Sequence, residues 1–108
     1  MAKFATTFSG DFDRWVQKIE QGVLDASVSA TLEESWDREE NGARVAVRVF
    51  ERYSYAGKNR VSMNVTLFES GGLIHLCAIT SGGSQATFFK FNTLGEETFL
   101  ETLKDVAR

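Results

Sequence analysis

The sequence contains no proline and only one cysteine and one histidine among its 108 residues. The single cysteine, Cys77, excludes an intramolecular disulfide, and a free cysteine usually behaves as a small apolar residue. The single histidine, His75, without further histidines or clustered acids, is a poor basis for a metal site. No apolar stretch reaches the roughly 18 residues that a membrane-spanning helix needs. The sequence therefore predicts no metal site, no bound cofactor and no membrane span.

An excess of basic residues is also missing. Twelve Lys and Arg residues stand against fifteen Asp and Glu, which gives a formal net charge of −3. Nucleic-acid-binding domains usually carry a strongly basic face, so a nucleic-acid partner is not expected. Residues 1–13 lack the apolar core of a signal peptide, and the expected location is the cytoplasm. The length and the apolar fraction of 43% fit one α+β domain over residues 1–108 with its own core.

Two local patterns define the start of the chain. Phe4, Thr6 and Phe8 are apolar or small at alternate positions and predict a strand. Asp11 then offers a helix cap. The apolar residues that follow have the spacing of one helical face: Phe12, Trp15, Val16, Ile19 and Val23.

From Val28 to Thr80 the apolar period becomes two, which predicts a meander of four strands. Turns are expected at Asn41-Gly42, at Gly57 and at Ser70-Gly71. With a two-residue turn at Asn41-Gly42, Trp36 is expected opposite Val47. A three-residue turn at Gly57 places Val49 opposite Val65, and a two-residue turn at Ser70-Gly71 places Leu67 opposite Ile74. Pairing across these turns places one apolar set on the core face. This set contains Val28, Ala30, Leu32, Val45, Val47, Val49, Val61, Met63, Val65, Leu67, Ile74, Leu76 and Ala78. On the opposite face the same registers place Arg44, Arg48 and Arg52.

The run Ser81-Gly82-Gly83-Ser84-Gln85 has two interpretations. As a hairpin turn it would start a further strand, with Ala78 opposite Thr87 and Leu76 opposite Phe89. As a backbone cradle its glycines would bind an anion. The turn is favoured because it places the following phenylalanines on the core face.

The carboxy-terminal residues predict a second helix. Thr93 and Glu96 have the capping-box spacing. The apolar positions that follow are Phe99, Leu100, Leu103, Val106 and Ala107. The predicted order is β-α-β-β-β-β-β-α, an α+β domain in which two helices cover one face of an antiparallel sheet. This two-layer arrangement is similar to a reduced helix-grip fold, which encloses a space between the sheet and its last helix.

Glu51 and Tyr53 are the candidate polar residues of that space. The predicted registers place Glu51 on the core face, and a buried carboxylate needs a hydrogen-bonding or charged partner. Together with Ser81, Gly82, Gly83, Ser84 and Gln85 they form a candidate site for a small apolar or amphipathic ligand. The alternative is that Glu51 is solvated at the end of the helix layer. No nucleophile is paired with a base, so catalysis is the least supported function.

The second sheet face carries apolar residues that the core does not use. They are Phe68, Leu73, Cys77, Ile79 and Phe88. A contiguous exposed apolar patch usually marks a partner, and two-fold dimers are the commonest oligomers. Two functions follow: non-catalytic binding of a small ligand between sheet and helices, or a self-associating interaction module that forms a homodimer through this face.

Two long strings carry a resemblance to a known family. They are RVFERYSYAGKNRVSMNVT at residues 48–66 and ITSGGSQATFFKFNTLGEETFL at residues 79–100, with GDFD at residues 10–13. Along nearly its whole length the chain resembles a small family of uncharacterised bacterial proteins classed as a domain of unknown function. The resemblance implies a compact bacterial cytoplasmic protein. It supplies no activity, no substrate and no catalytic residue.

Overall fold

The computed structural model describes residues 1–54, 59–82, 103, 104 and 107. Within these ranges it contains one α-helix and one antiparallel sheet of five strands, which confirms the α+β class. The elements are β1 (Ala2–Phe8), α1 (Phe12–Asp25), β2 (Thr31–Glu40), β3 (Ala43–Ser54), β4 (Asn59–Ser70) and β5 (Leu73–Gly82). Across the sheet the strands follow the order β1-β5-β4-β3-β2.

Helix α1 covers one face of the sheet, as its apolar spacing predicts. Its N-cap is Asp11, whose Oδ1 accepts a hydrogen bond from the backbone N–H of Arg14 at 2.9 Å. The helix buries Phe12, Val16, Ile19 and Val23. We call the sheet face that α1 covers the core face, and the opposite one the outer face. In the described part of the chain no helix is long and apolar enough to cross a membrane.

The β2–β3 hairpin confirms the predicted turn. Asn41 and Gly42 have φ values of 52° and 83°, and both values are positive as a type I′ turn requires. Trp36 therefore lies opposite Val47, the predicted pair. Strand β2 starts at Thr31, later than predicted. Val28 lies in the turn before the strand and is fully exposed, so its predicted core-face position is wrong. The register shifts between Leu32 and Glu34, which marks a bulge.

The β4–β5 turn lies one residue later than predicted. Gly71 and Gly72 are its central residues, with φ values of 61° and 81°. Leu67 is consequently paired with Leu76, and the predicted pairing with Ile74 is wrong. The displacement along the strand is two residues, so every side chain keeps its predicted face.

The β3–β4 register differs by one residue, and this reverses the two faces of β3. Ser54 is paired with Asn59, so four residues connect the strands where three were predicted. Val49 lies opposite Asn64 rather than Val65. The predicted core face of β3 is therefore wrong. Its core-face residues are Arg44, Ala46, Arg48, Phe50 and Arg52, and its outer-face residues are Val45, Val47, Val49, Glu51 and Tyr53.

Strand β5 has neighbours on both edges, which overturns one predicted pairing. Strand β1 lies along its free edge, with Phe4 opposite Ala78 and Thr6 opposite Leu76. Ala78 and Leu76 thus have strand neighbours on both sides, in β1 and β4. Thr87 and Phe89 lie outside the described residues. Gly82 ends β5 opposite Val61, and the rest of the predicted Gly82-Gly83 turn lies outside the described residues.

The predicted sixth strand and most of the predicted second helix lie outside the described residues. Of that helix, Leu103, Lys104 and Ala107 have helical backbone, and Leu103 is fully buried in the core. The two-helix layer and the likeness to the helix-grip fold stay predictions. The described core is formed by α1, Leu103 and the core faces of β3, β4 and β5: Ala46, Phe50, Val61, Met63, Val65, Leu67, Ile74, Leu76 and Ala78.

Candidate functional site: the outer face of the sheet

The outer face presents three aligned rows of side chains, each with one residue from every strand in the order β1, β5, β4, β3, β2. The first row contains Lys3, Ile79, Asn64, Val49 and Glu34. The second row contains Ala5, Cys77, Thr66, Val47 and Trp36. The third row contains Thr7, His75, Phe68, Val45 and Arg38. Strand β4 runs through the middle of all three.

Large apolar side chains of this face are open to solvent. Trp36 is 54% exposed, Phe68 43%, Ile79 40% and Leu73 46%. The three valines of β3 lie between them and are half-buried. A monomer rarely exposes a contiguous apolar patch of this kind unless the patch binds something.

The polar side chains of the outer face form local contacts. His75 Nδ1 lies 2.9 Å from the Thr7 hydroxyl, and the His75 ring stacks on Phe68 with centroids 6.1 Å apart. The hydroxyl of Thr66 donates to Oδ1 of Asn64 at 3.1 Å. Trp36, Phe68 and Ile79 remain exposed beside these contacts.

The predicted interface residues lie together on this face where the structure describes them. Phe68, Leu73, Cys77 and Ile79 all point outward from β4 and β5, and Phe88 lies outside the described residues. Sequence reasoning missed Trp36 and the valines of β3 as members of the patch. Only the length of the β3–β4 connection could have placed the valines there, since their alternation fits either face.

The candidate ligand residues do not converge on the core face. Glu51 lies on the outer face opposite Thr31 and Ser62, and its carboxylate pairs with Arg60 Nε at 2.9 Å. Its predicted core-face position is therefore wrong. Tyr53 also points outward, and its backbone N–H donates to the Ser29 hydroxyl at 3.2 Å.

Two of the other candidate ligand residues, Ser81 and Gly82, lie at the far end of β5. The hydroxyls of Ser81 and Ser62 are 2.8 Å apart on the outer face. Gly82 is half-buried at the end of β5. Gly83, Ser84 and Gln85 lie outside the described residues. The ligand-binding role of this segment stays a prediction.

Arg48 is the buried charge that the sequence did not reveal. It is 8% exposed on the core face, where its guanidinium donates to both carboxylate oxygens of Asp37 at 2.7 and 3.2 Å and to the carbonyl of Val47 at 2.9 Å. Its Nε lies 3.6 Å from a carboxylate oxygen of Glu20 on α1, which is too long for a hydrogen bond. The hydrogen bonds that Arg48 donates to Asp37 raise the pKa of Arg48. The cluster joins β3, β2 and α1.

A second arginine of β3 binds the start of α1. Arg44 donates to both oxygens of Asp13 at 2.6 and 3.3 Å, and its guanidinium lies 4.6 Å above the ring of Phe12. These hydrogen bonds lower the pKa of Asp13 and raise the pKa of Arg44. Desolvation lowers the pKa of Arg52 further along the strand. The predicted placement of Arg44, Arg48 and Arg52 on the face opposite the core is wrong, because all three residues are on the helix side of the sheet.

Two concavities lie on the core-face side. One of about 190 Å³ is lined mainly by the ion pairs, including Asp13, Asp37, Arg44 and Arg48. Four of its charged side chains already form two ion pairs, Arg44 with Asp13 and Arg48 with Asp37. The other has a volume of about 360 Å³ and is mostly apolar, with lining residues Phe4, Thr6, Phe8, Trp15, Lys104 and Ala107. Among the described residues no three His, Cys, Asp or Glu side chains converge as a metal site.

Comparison with known proteins identifies a solved structure with a similar fold but assigns no activity. No curated protein matches the sequence. Among solved structures, a Pseudomonas aeruginosa protein of unknown function, PA94, described as a candidate regulator, aligns with a TM-score of 0.54 at 8% sequence identity. The alignment covers 94% of this chain and 83% of that one. At this identity the likeness concerns the fold alone.

The sequence itself provides the assignment to a family. A family model described as a family of unknown function, DUF6054, matches residues 1–108. This agrees with the resemblance carried by the long strings at residues 48–66 and 79–100. The chain belongs to the DUF6054 family of unknown function.

Proposed function

We propose that this chain is a non-catalytic interaction domain that associates with a second copy of itself through the outer face of its sheet. The observation that carries the proposal is the uncovered apolar surface formed by Trp36, Phe68, Ile79 and the β3 valines. Helix α1 lies on the opposite side, so this surface is unpaired within the described fold. In this proposal the protein acts in the bacterial cytoplasm.

The size of the face suits a weak specific interface. Five strands about 4.8 Å apart and seven residues of about 3.4 Å rise define a face of roughly 24 by 24 Å. Covering it on two partners buries on the order of 1,200 Å², which is the lower end of specific interfaces. We therefore expect a dissociation constant in the micromolar range.

Analytical ultracentrifugation across a concentration series tests the proposal. Wild-type protein at about 100 μM is expected to be mainly dimeric, well above a micromolar dissociation constant. Phe68→Asp is expected to be monomeric at the same concentration, since it places a charge in the middle strand of the interface. Gln17→Asp, on the exposed side of α1, is the control and keeps the dimer. A wild type that remains monomeric at this concentration contradicts the proposal.

A second candidate function uses the apolar cavity beside β1. Its volume of about 360 Å³ is within the range of small-ligand pockets, and Lys104 adds a cation to walls formed by Phe4, Phe8 and Trp15. This supports binding of a small amphipathic anion such as a medium-chain fatty acid. This candidate keeps the idea of a ligand held beside the core face of the sheet, but its binding residues do not include Glu51 or Tyr53.

Titration of decanoate against Trp15 fluorescence tests this candidate. Trp36→Phe is the background variant, because it leaves Trp15 as the one tryptophan of the chain. Saturable change is expected in that background, and its loss is expected when Thr6→Phe fills the cavity. A response that is absent, or that Thr6→Phe leaves unchanged, contradicts this second function and has no bearing on self-association.

A further inference from the structure

We infer that the two copies are related by a two-fold axis that runs parallel to the strands and lies over β4. The inference rests on the self-association proposed above and specifies its geometry. Such an axis places β1 of one copy over β2 of its partner and β5 over β3, while β4 faces itself. Each of the three outer-face rows then lies opposite its own copy in reversed order. Aligned packing of two sheets, with strands nearly parallel, permits this arrangement.

The charges at the two ends of the first row are complementary in this arrangement. Lys3 at the β1 edge faces the partner's Glu34 at the β2 edge, and the symmetry repeats the pair on the other side. Both residues are exposed in the single chain. Opposite charges at the rim of an interface remain hydrated and orient the partners as they approach.

The side chains at the two ends of the second row are complementary in size. Ala5 at the β1 edge faces the partner's Trp36, the most exposed large apolar side chain of the outer face. Packed sheets keep a nearly constant separation of about 10 Å, so the two edges of the interface must be filled to a similar depth. The Trp36 side chain of each copy therefore packs over Ala5 of the other copy, once at each edge of the interface.

Apolar residues meet one another between these ends. Ile79 faces the partner's Val49, and Cys77 faces the partner's Val47. Along the axis itself, residues of β4 meet their own copies. A Phe68 pair gains aromatic contact there, and a pair of Asn64 amides is self-complementary because each amide both donates and accepts.

An axis perpendicular to the strands, lying in the interface over the second row, is the competing arrangement. It places each strand over itself, with Trp36 on the partner's Trp36 at one edge and Ala5 on the partner's Ala5 at the other. Two large side chains at one edge and two small ones at the other force the sheets apart unevenly. Even packing therefore favours the axis parallel to the strands.

Charge reversal distinguishes the two arrangements. Lys3→Glu alone and Glu34→Lys alone each create two like-charge contacts in a homodimer of the parallel-axis form. Each is expected to weaken dimerisation about tenfold at low ionic strength. An equimolar mixture of the two variants forms a heterodimer in which both contacts are again opposite in sign. Its dissociation constant is expected to return to within about threefold of the wild-type value.

The same mixture has a different result with the perpendicular axis. There Glu34 faces the partner's Arg38 and Lys3 faces the partner's Thr7. Lys3→Glu then has little effect, and the mixture keeps one repulsive contact. A wild type that dimerises while Lys3→Glu is unaffected, or while the mixture does not recover, overturns this inference and leaves self-association in place. A monomeric wild type overturns both. Recovery in the mixture also shows that both variants fold.

Discussion

Arg48 and Asp37 form a two-pronged ion pair across β3 and β2, with N···O distances of 2.7 and 3.2 Å. The two partners differ in environment, since the arginine side chain is 10% exposed and the carboxylate 63%. Without Arg48, the carboxylate of Asp37 would still be solvated. Without Asp37, the guanidinium of Arg48 would be a buried charge that has lost its main hydrogen-bond acceptor. This asymmetry determines how substitutions at the two positions should differ.

Asp37→Asn is expected to destabilise the protein by about 1–2 kcal/mol, because it leaves a buried guanidinium with a weaker partner. Arg48→Met is expected to be neutral or stabilising, since it replaces a desolvated charge with apolar volume. Urea denaturation at neutral pH measures both. Glu40→Gln, which breaks the exposed pair with Arg38, is the control and should change stability by less than about 0.5 kcal/mol. Equal effects of Asp37→Asn and Glu40→Gln would contradict this account.

The reversed faces of β3 predict opposite consequences at two adjacent positions. Phe50 is fully buried, and Phe50→Ala is expected to cost about 3–5 kcal/mol of unfolding free energy. Val49 is on the outer face, and Val49→Ala should cost about 1 kcal/mol or less. Denaturation at a protein concentration below the dimer range isolates the effect on the fold. If Val49→Ala lowered the unfolding free energy more than Phe50→Ala, the result would support the register expected from the sequence.

The Gly71-Gly72 turn predicts a position-specific tolerance. Gly72→Val is expected to destabilise by about 1–3 kcal/mol, because a β-branched residue is strained at a φ of 81°. Gly71→Asn should be tolerated within about 0.5 kcal/mol, since Asn41 adopts φ 52° at the equivalent place in the β2–β3 turn. Thermal unfolding of both variants provides the comparison, and equal sensitivity would argue against a type I′ turn here.

The lowered pKa of Asp13 predicts an acid dependence of stability. In the folded protein the pKa of the Asp13 carboxyl lies below its ordinary value of 3.8. The ionised carboxylate therefore stabilises the folded state at pH values above 3.8, and this contribution is lost as the pH falls through the lowered pKa. Asp13→Asn should therefore be less stable than wild type at neutral pH and should show a smaller decline between about pH 5 and pH 2. Urea midpoints across this range measure the difference. Asp25→Asn, at the other end of α1, is the control, and identical declines for wild type and Asp13→Asn would refute the role of the Arg44 pair.

Local sequence patterns were sufficient for several elements of this fold. The cap at Asp11 and the helical spacing after it predict α1, and the alternation of Phe4, Thr6 and Phe8 predicts β1. Asn41-Gly42 predicts its hairpin and the pairing of Trp36 with Val47. Each depends on interactions between neighbours in sequence or across one tight turn, so no distant part of the chain has to be known.

The sequence by itself thus determined the α+β class, the position of α1, the meander and the outward orientation of Phe68, Leu73, Cys77 and Ile79. Only the tertiary structure decided the faces of β3, because valines and arginines alternate there and the length of one connection selects which set is buried. That choice moved Glu51 out of the core and brought Arg48 in. It was also the tertiary structure that placed β1 beside β5, since an open strand edge accepts any strand that can reach it and local pattern carries no record of which one does.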